Sequence, residues 1–126
     1  MKRILLVDDS RVTRELMKVY LIARDVTLLE AADGAEALAK AKADPPDLIL
    51  ADLRMPRLDG VALCEALRAD LRTRGVPVVI LTSDRDAETV LRARAAGARE
   101  VLQKPIQPQP LLDAINRHLA PDAARP

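Results

Sequence analysis

The chain has 126 residues, enough for one domain with a single buried core. Apolar residues make up 49% and charged ones 31%, and the formal net charge is +1, so no strong field points to nucleic acid or to an acidic surface. The single cysteine, Cys64, excludes an intrachain disulfide, and no apolar run approaches the roughly 20 residues of a membrane span.

The start, "MKRILLVDDS", has too few apolar residues before its carboxylates for a secretory signal, so a cytoplasmic protein is expected. "ILLV" (4–7) reads as a first strand. The helix-like segment after it runs from Ser10 to Arg24, with Val12, Leu16, Val19 and Ala23 as the stripe expected to face the core. "VTLLEA" (26–31) is the second strand. Gly34 to Ala43 is the second helix, opened by Asp33 and Glu36 at capping-box spacing. The third strand is "DLILA" (47–51), and the third helix spans Gly60 to Arg72 with Cys64, Leu67 and Leu71 on one face. The stretch "RADLRTR" (68–74) reads as its solvated end. "VPVVILT" (76–82) is the fourth strand, and Asp86 to Ala96 is the fourth helix, ended by Gly97. "EVLQ" (100–103) is the fifth strand. Pro110 to Leu119 closes the pattern as a helix that buries Leu111, Leu112, Ile115 and Leu119.

Five strands alternate with five helices, and the runs at 4–7, 48–50 and 78–81 are apolar without alternation. Strands covered on both faces read this way. The pattern predicts an α/β domain with a doubly wound parallel sheet. In such sheets the working site lies beyond the carboxyl ends of the strands. There the sequence places Asp8 and Asp9 after the first strand, Asp52 after the third, Thr82, Ser83 and Asp84 after the fourth, and Lys104 after the fifth. Clustered carboxylates repel, and at least one pKa rises unless cations intervene. Lys104 is one cation, and Mg²⁺ is the natural hard ion for an all-oxygen site. Taken singly, each feature has a plainer reading: Asp8-Asp9 or Ser83 as helix caps, Asp52 as a turn residue, Lys104 as solvated surface. Their convergence on one sheet edge favours a site. Asp33, Asp59 and Asp84 read as caps or turns, His118 as a surface or packing residue, and Cys64 as core.

The fragments "LLVDDS", "LILADLRMPRLDG", "VVILTS" and "LQKP" resemble the receiver domain of two-component response regulators, of the chemotaxis-regulator type. The resemblance covers residues 1–120, and the tail at 121–126 is expected to be frayed. It implies a flavodoxin-like fold with strand order 2-1-3-4-5. It implies that Asp52 is the phosphoacceptor and that Asp9 and Asp52 bind Mg²⁺, with Asp8 contributing through water and Arg54 through its backbone carbonyl. Thr82 would be the switch hydroxyl, and Lys104 would pair with the phosphoryl group across a cis Lys104–Pro105 bond. The implied partners are a sensor histidine kinase or a histidine phosphotransfer protein, and a target docking on the face of the fourth helix, fifth strand and fifth helix. A homodimer is left open. Such a domain is a signalling module that assists its own phosphorylation and dephosphorylation, not a turnover enzyme. No output domain follows Leu119, so the domain either docks to its target alone or is trimmed from a longer regulator.

The sequence departs from the family at Val101, where many members carry Tyr or Phe, and at Ser83, where a smaller residue is common. Arg54 and Asp84 stand where the family tunes dephosphorylation, and they are placed to form an ion pair over the site. Other readings share parts of the pattern. A phosphorylation-independent pseudo-receiver would need the same fold. A haloacid-dehalogenase-type phosphatase wants an Asp-x-Asp pair after the first strand, whereas Asp52 follows the third and Arg54 replaces the second acid. A flavin-binding flavodoxin-like protein wants a Ser/Thr/Gly loop where "DDSRVT" stands.

Overall fold

The computed structural model describes residues 1–119; the tail expected to be frayed lies outside the described residues. Strands β1 (Lys2–Val7), β2 (Val26–Ala31), β3 (Leu48–Asp52), β4 (Val78–Thr82) and β5 (Glu100–Gln103) alternate with helices α1 (Arg11–Tyr20), α2 (Gly34–Ala43), α3 (Gly60–Ala69), α4 (Ala87–Ala96) and α5 (Pro108–His118). All pairings are parallel, in the order β2-β1-β3-β4-β5. The expected doubly wound α/β architecture is present, with element ends shifted by a few residues.

The central strands are buried on both faces, which explains their unbroken apolar runs. Leu5, Val7, Ile49, Ala51 and Ile80 point into a core shared with α2, α3 and α4. Ile4, Leu6, Leu48, Leu50, Val79 and Leu81 point into a second core closed by Met17 and Leu21 at α1 and by Leu111 and Ile115 of α5. Three helices start on carboxylate caps: Asp33 accepts the Glu36 N–H, Asp59 that of Ala62, and Asp86 that of Thr89. Glu36 completes the expected capping box by accepting the Ala32 N–H at 2.8 Å. Gly97 ends α4 at φ 122°, a conformation open to glycine. Gly75, in the α3–β4 connection at the opposite end of the sheet, has open space where a Cβ would stand.

Two expectations fail. The stripe Val12, Leu16, Val19, Ala23 does not face the core: Val12 is 79% exposed, Val19 62%, and Ile22 beside them 83%. The buried side of α1 carries Met17 and Leu21, with Tyr20 packed against them. This helix has two apolar faces, and the inner one is the narrower. The third helix also ends earlier than expected, at Ala69 with Asp70 as its cap, so Leu71 is exposed. Within the segment read as a solvated end, Thr73 is fully buried and donates its hydroxyl to the Leu67 carbonyl at 2.7 Å.

Candidate functional site

Parallel strands deliver their carboxyl ends to one edge, and the neighbouring strands β1 and β3 bring the acidic residues together there. Carboxylate oxygens of Asp8, Asp9 and Asp52 all lie within 4.8 Å of one another. Asp8 is buried and committed on both oxygens: Oδ1 accepts the Ser10 N–H at 2.8 Å, and Oδ2 accepts from Lys104 Nζ at 3.1 Å. Asp52 lies at the floor of the site, 3.2 Å from the same Nζ. Asp9 is exposed. The Lys104–Pro105 peptide is cis, as the sequence led us to expect. Lys104 reaches Asp8 as well as Asp52, a contact the sequence did not disclose.

The electrostatics follow from crowding. Burial, and then the charge of Asp8, push the Asp52 carboxyl above its ordinary range, while Lys104 opposes them. Burial disfavours the Lys104 ammonium, but its bond to Asp8 and the Asp52 and Asp8 charges outweigh burial and raise its pKa. Three carboxylates thus cluster beside one ammonium, which pairs with two of them. The donor set is all oxygen and under-compensated, which fits a hard divalent cation such as Mg²⁺.

Two loops frame the acids. In the β3–α3 loop, Arg57 adopts φ 72°, and its guanidinium binds Asp33 through Nη2 at 2.6 Å and Nε at 3.1 Å. The Leu58 carbonyl crosses over Gly34, where a Cβ would come within 2.0 Å of the oxygen. These contacts tie the Arg54-bearing loop to the start of α2; an Arg-Asp pair 24 residues apart gave no sequence signal. The β4–α4 loop leaves Thr82, the last residue of β4, which is buried and accepts the Asp84 N–H on Oγ1 at 3.0 Å. Asp84 Oδ2 accepts from Arg54 Nε at 2.9 Å, the ion pair expected over the site. Ser83 begins no helix, because Asp86 is the α4 cap.

The remaining residues sit away from this edge. His118 Nε2 lies 2.7 Å from Glu100 Oε1 at the opposite end of the sheet, consistent with a packing role. Cys64 is buried in the α2–α4 core, with its thiol pushed up to about 12 by burial. Val101 packs half-buried against that same core. Tyr20 lies on the other face, its hydroxyl donating to the Ile106 carbonyl at 3.0 Å, so it does not substitute for an aromatic at position 101.

A sheet-edge acid cluster with a strand-end lysine on this fold marks a class of signalling modules, and comparison with known proteins agrees. The model of the response regulator receiver domain matches residues 4–116, and the chain belongs to that family. It is 34% identical over 94% of its length to the DNA-binding response regulator MtrA of Mycolicibacterium paratuberculosis, of which the match covers 51%. The chain thus spans about half the length of such relatives. It superposes on the chemotaxis protein CheY4 of Vibrio cholerae with a TM-score of 0.87 and 34% identity, covering 94% of this chain and 99% of that one. It also matches the receiver domain of a sensor histidine kinase from Pseudomonas aeruginosa PAO1, solved with a magnesium ion in its active-site cleft. That match has a TM-score of 0.86 and 30% identity, with coverage of 94% and 97%. Among the described residues no helix is long and apolar enough to cross a membrane.

Proposed function

We propose that Asp52 accepts a phosphoryl group from a phosphohistidine on a sensor kinase or phosphotransfer protein, and that the modified domain controls a partner. The observation that carries this reading is the Asp52 carboxylate at the floor of a three-acid cluster, 3.2 Å from Lys104 Nζ. A carboxylate attacks an anionic phosphoryl group poorly unless charge is neutralised. Bound Mg²⁺ would supply most of that neutralisation as a hard Lewis acid. Asp9 and Asp52 would hold it directly with the Arg54 backbone carbonyl. Asp8, with both oxygens engaged by Ser10 and Lys104, suits an indirect role through water. An Asp52 oxygen forms the new bond to phosphorus as the bond from the donor imidazole nitrogen breaks. Lys104 neutralises one phosphoryl oxygen, and the Thr82 hydroxyl then has a partner that exists only in the modified state.

The outward stripe of Val12, Leu16, Val19 and Ile22 supports docking of the phosphodonor on α1, since this helix starts beside Asp9. The face of α4, β5 and α5 remains for the downstream target. Incubation with Mg²⁺ and a small phosphodonor such as acetyl phosphate, followed by intact mass measurement, tests the chemistry. One added phosphoryl group is expected, and none on Asp52→Asn. Equal labelling of the Asn variant would falsify the assignment.

A further inference from the structure

We propose that Arg54 and Asp84 form a latch that holds the Thr82 hydroxyl in its resting position, and that a phosphoryl group on Asp52 opens the latch by taking Arg54 away from Asp84. The proposal rests on the phosphoacceptor reading of Asp52 and deepens it.

Asp84 is engaged twice. Its backbone N–H donates to Thr82 Oγ1 at 3.0 Å, closing a turn in which the hydroxyl lone pair is aimed along its own loop. Its carboxylate is gripped by Arg54 through Nε at 2.9 Å and Nη2 at 2.5 Å. The grip runs from the loop that follows Asp52 to the loop that follows Thr82. While it holds, Asp84 stays in place and so does the hydroxyl acceptor it satisfies.

Arg54 stands two residues from Asp52, and its side chain is 74% exposed, so it is free to swing. Phosphorylation would replace a single negative charge beside it with up to two and add three strong acceptor oxygens. A guanidinium binds phosphate oxygens in bidentate fashion, and an exposed ion pair is a weak competitor. The exchange frees the Asp84 carboxylate, relaxes the turn, and releases the Thr82 hydroxyl towards the new phosphoryl oxygens. Val101 cannot supply a swinging ring, so a charge exchange between the two loops gives this chain a route from the acceptor to α4 that needs no aromatic.

Amide spectra of the ¹⁵N-labelled protein test the latch in the resting state and with beryllofluoride plus Mg²⁺ as phosphoryl mimic. In the resting protein, Arg54→Gln and Asp84→Asn are each expected to move the Thr82, Ser83 and Asp84 signals along the line towards their mimic-bound positions. The active-like fraction should rise about threefold, the range set by losing one exposed ion pair. The double variant should move no further than either single one, and Arg54→Lys should recover part of the resting position. Unmoved Thr82 signals in both single variants, or a double displacement equal to their sum, overturn the latch while the phosphoacceptor reading stands. A wild-type protein whose spectrum ignores beryllofluoride and Mg²⁺ defeats that reading, and the latch falls with it.

Discussion

The two ends of the sheet treat buried charge in opposite ways. At the carboxyl end, Asp8, Asp9 and Asp52 crowd around a single ammonium, and the Asp52 carboxyl is pushed up. At the amino end of β5, Glu100 alone faces two basic residues of α5: Arg117, which binds it through Nε at 3.0 Å and also through Nη2, and His118. The Arg117 hydrogen bond holds the Glu100 carboxyl below its ordinary range, against the pull of burial. One end keeps unrelieved repulsion, and at the other the carboxylate is matched by the Arg117 guanidinium. The difference separates work from scaffolding: the site proposed to accept a divalent cation and a phosphoryl group is kept short of positive charge, and the far end closes α5 onto the sheet.

The comparison breaks most decisively at Asp52. Its replacement by Asn should abolish labelling by a small phosphodonor altogether, whereas Glu100→Gln should leave the phosphorylated fraction at the wild-type level, both read by intact mass. Metal binding comes next. Asp9→Asn should weaken Mg²⁺ binding by about tenfold or more, with Asp8→Asn following, measured by calorimetric or spectral titration. Equal affinity in wild type and both variants would reduce the acid pair to a helix cap.

Stability gives a smaller contrast with opposite signs. Asp52→Asn should stabilise the unliganded protein at pH 7 by about 1–2 kcal/mol, because it removes a buried charge from a repulsive cluster. Glu100→Gln should destabilise by about 1 kcal/mol, a loss of roughly 4 °C in Tm. The pH dependences diverge as well. Glu100 has a lowered folded pKa, so its contribution is full above the unfolded value near 4.5 and fades as pH falls through the folded one. Asp52 has a raised folded pKa, so its penalty is absent below the unfolded value near 3.8 and grows as pH rises through the folded one. Melting curves of both variants between pH 3.5 and 7 would show the gap from wild type widening with pH in each case, upward for one and downward for the other. The smallest effect lies at Val101: a phosphoryl mimic should shift amide signals across Thr82 to Val90 more than those near Val101, and Thr82→Ala should remove most of that shift. If the signals near Val101 move most, the route from the site runs through β5 instead.

Much of this was legible in the sequence, for reasons visible in particular residues. The β1, β3 and β4 runs could be read because strands covered on both faces have no polar alternation to confuse them. The acid cluster could be read because strand ends in a parallel sheet share one edge, so linear position already fixes spatial company. The inner face of α1 could not. Its periodicity is sound, but Val12, Leu16 and Val19 repeat as regularly as Met17 and Leu21, and spacing gives a stripe without saying which way it points. Leu71 was misplaced because the Asp70 carboxylate accepts the Arg72 N–H in a tight turn that breaks the helix where its apolar period would continue. The contacts of Lys104 with Asp8 and of Arg57 with Asp33 join residues far apart in the chain, and only the folded sheet brings them together.

The open space around Gly75 makes the molecule convenient to label. The chain's one native thiol, Cys64, is buried with its pKa pushed up to about 12, so almost none of it is thiolate at neutral pH. A Gly75→Cys variant would place a second sulfur at the end of the sheet opposite the acid cluster, with no atom beyond its own residue and its two chain neighbours within 4 Å of the new Cβ. Maleimide or a spin probe should then attach there selectively without blocking Cys64 first. A fluorophore so placed would follow encounters with the proposed phosphodonor or target from a position remote from Asp52, leaving the acid cluster unobstructed.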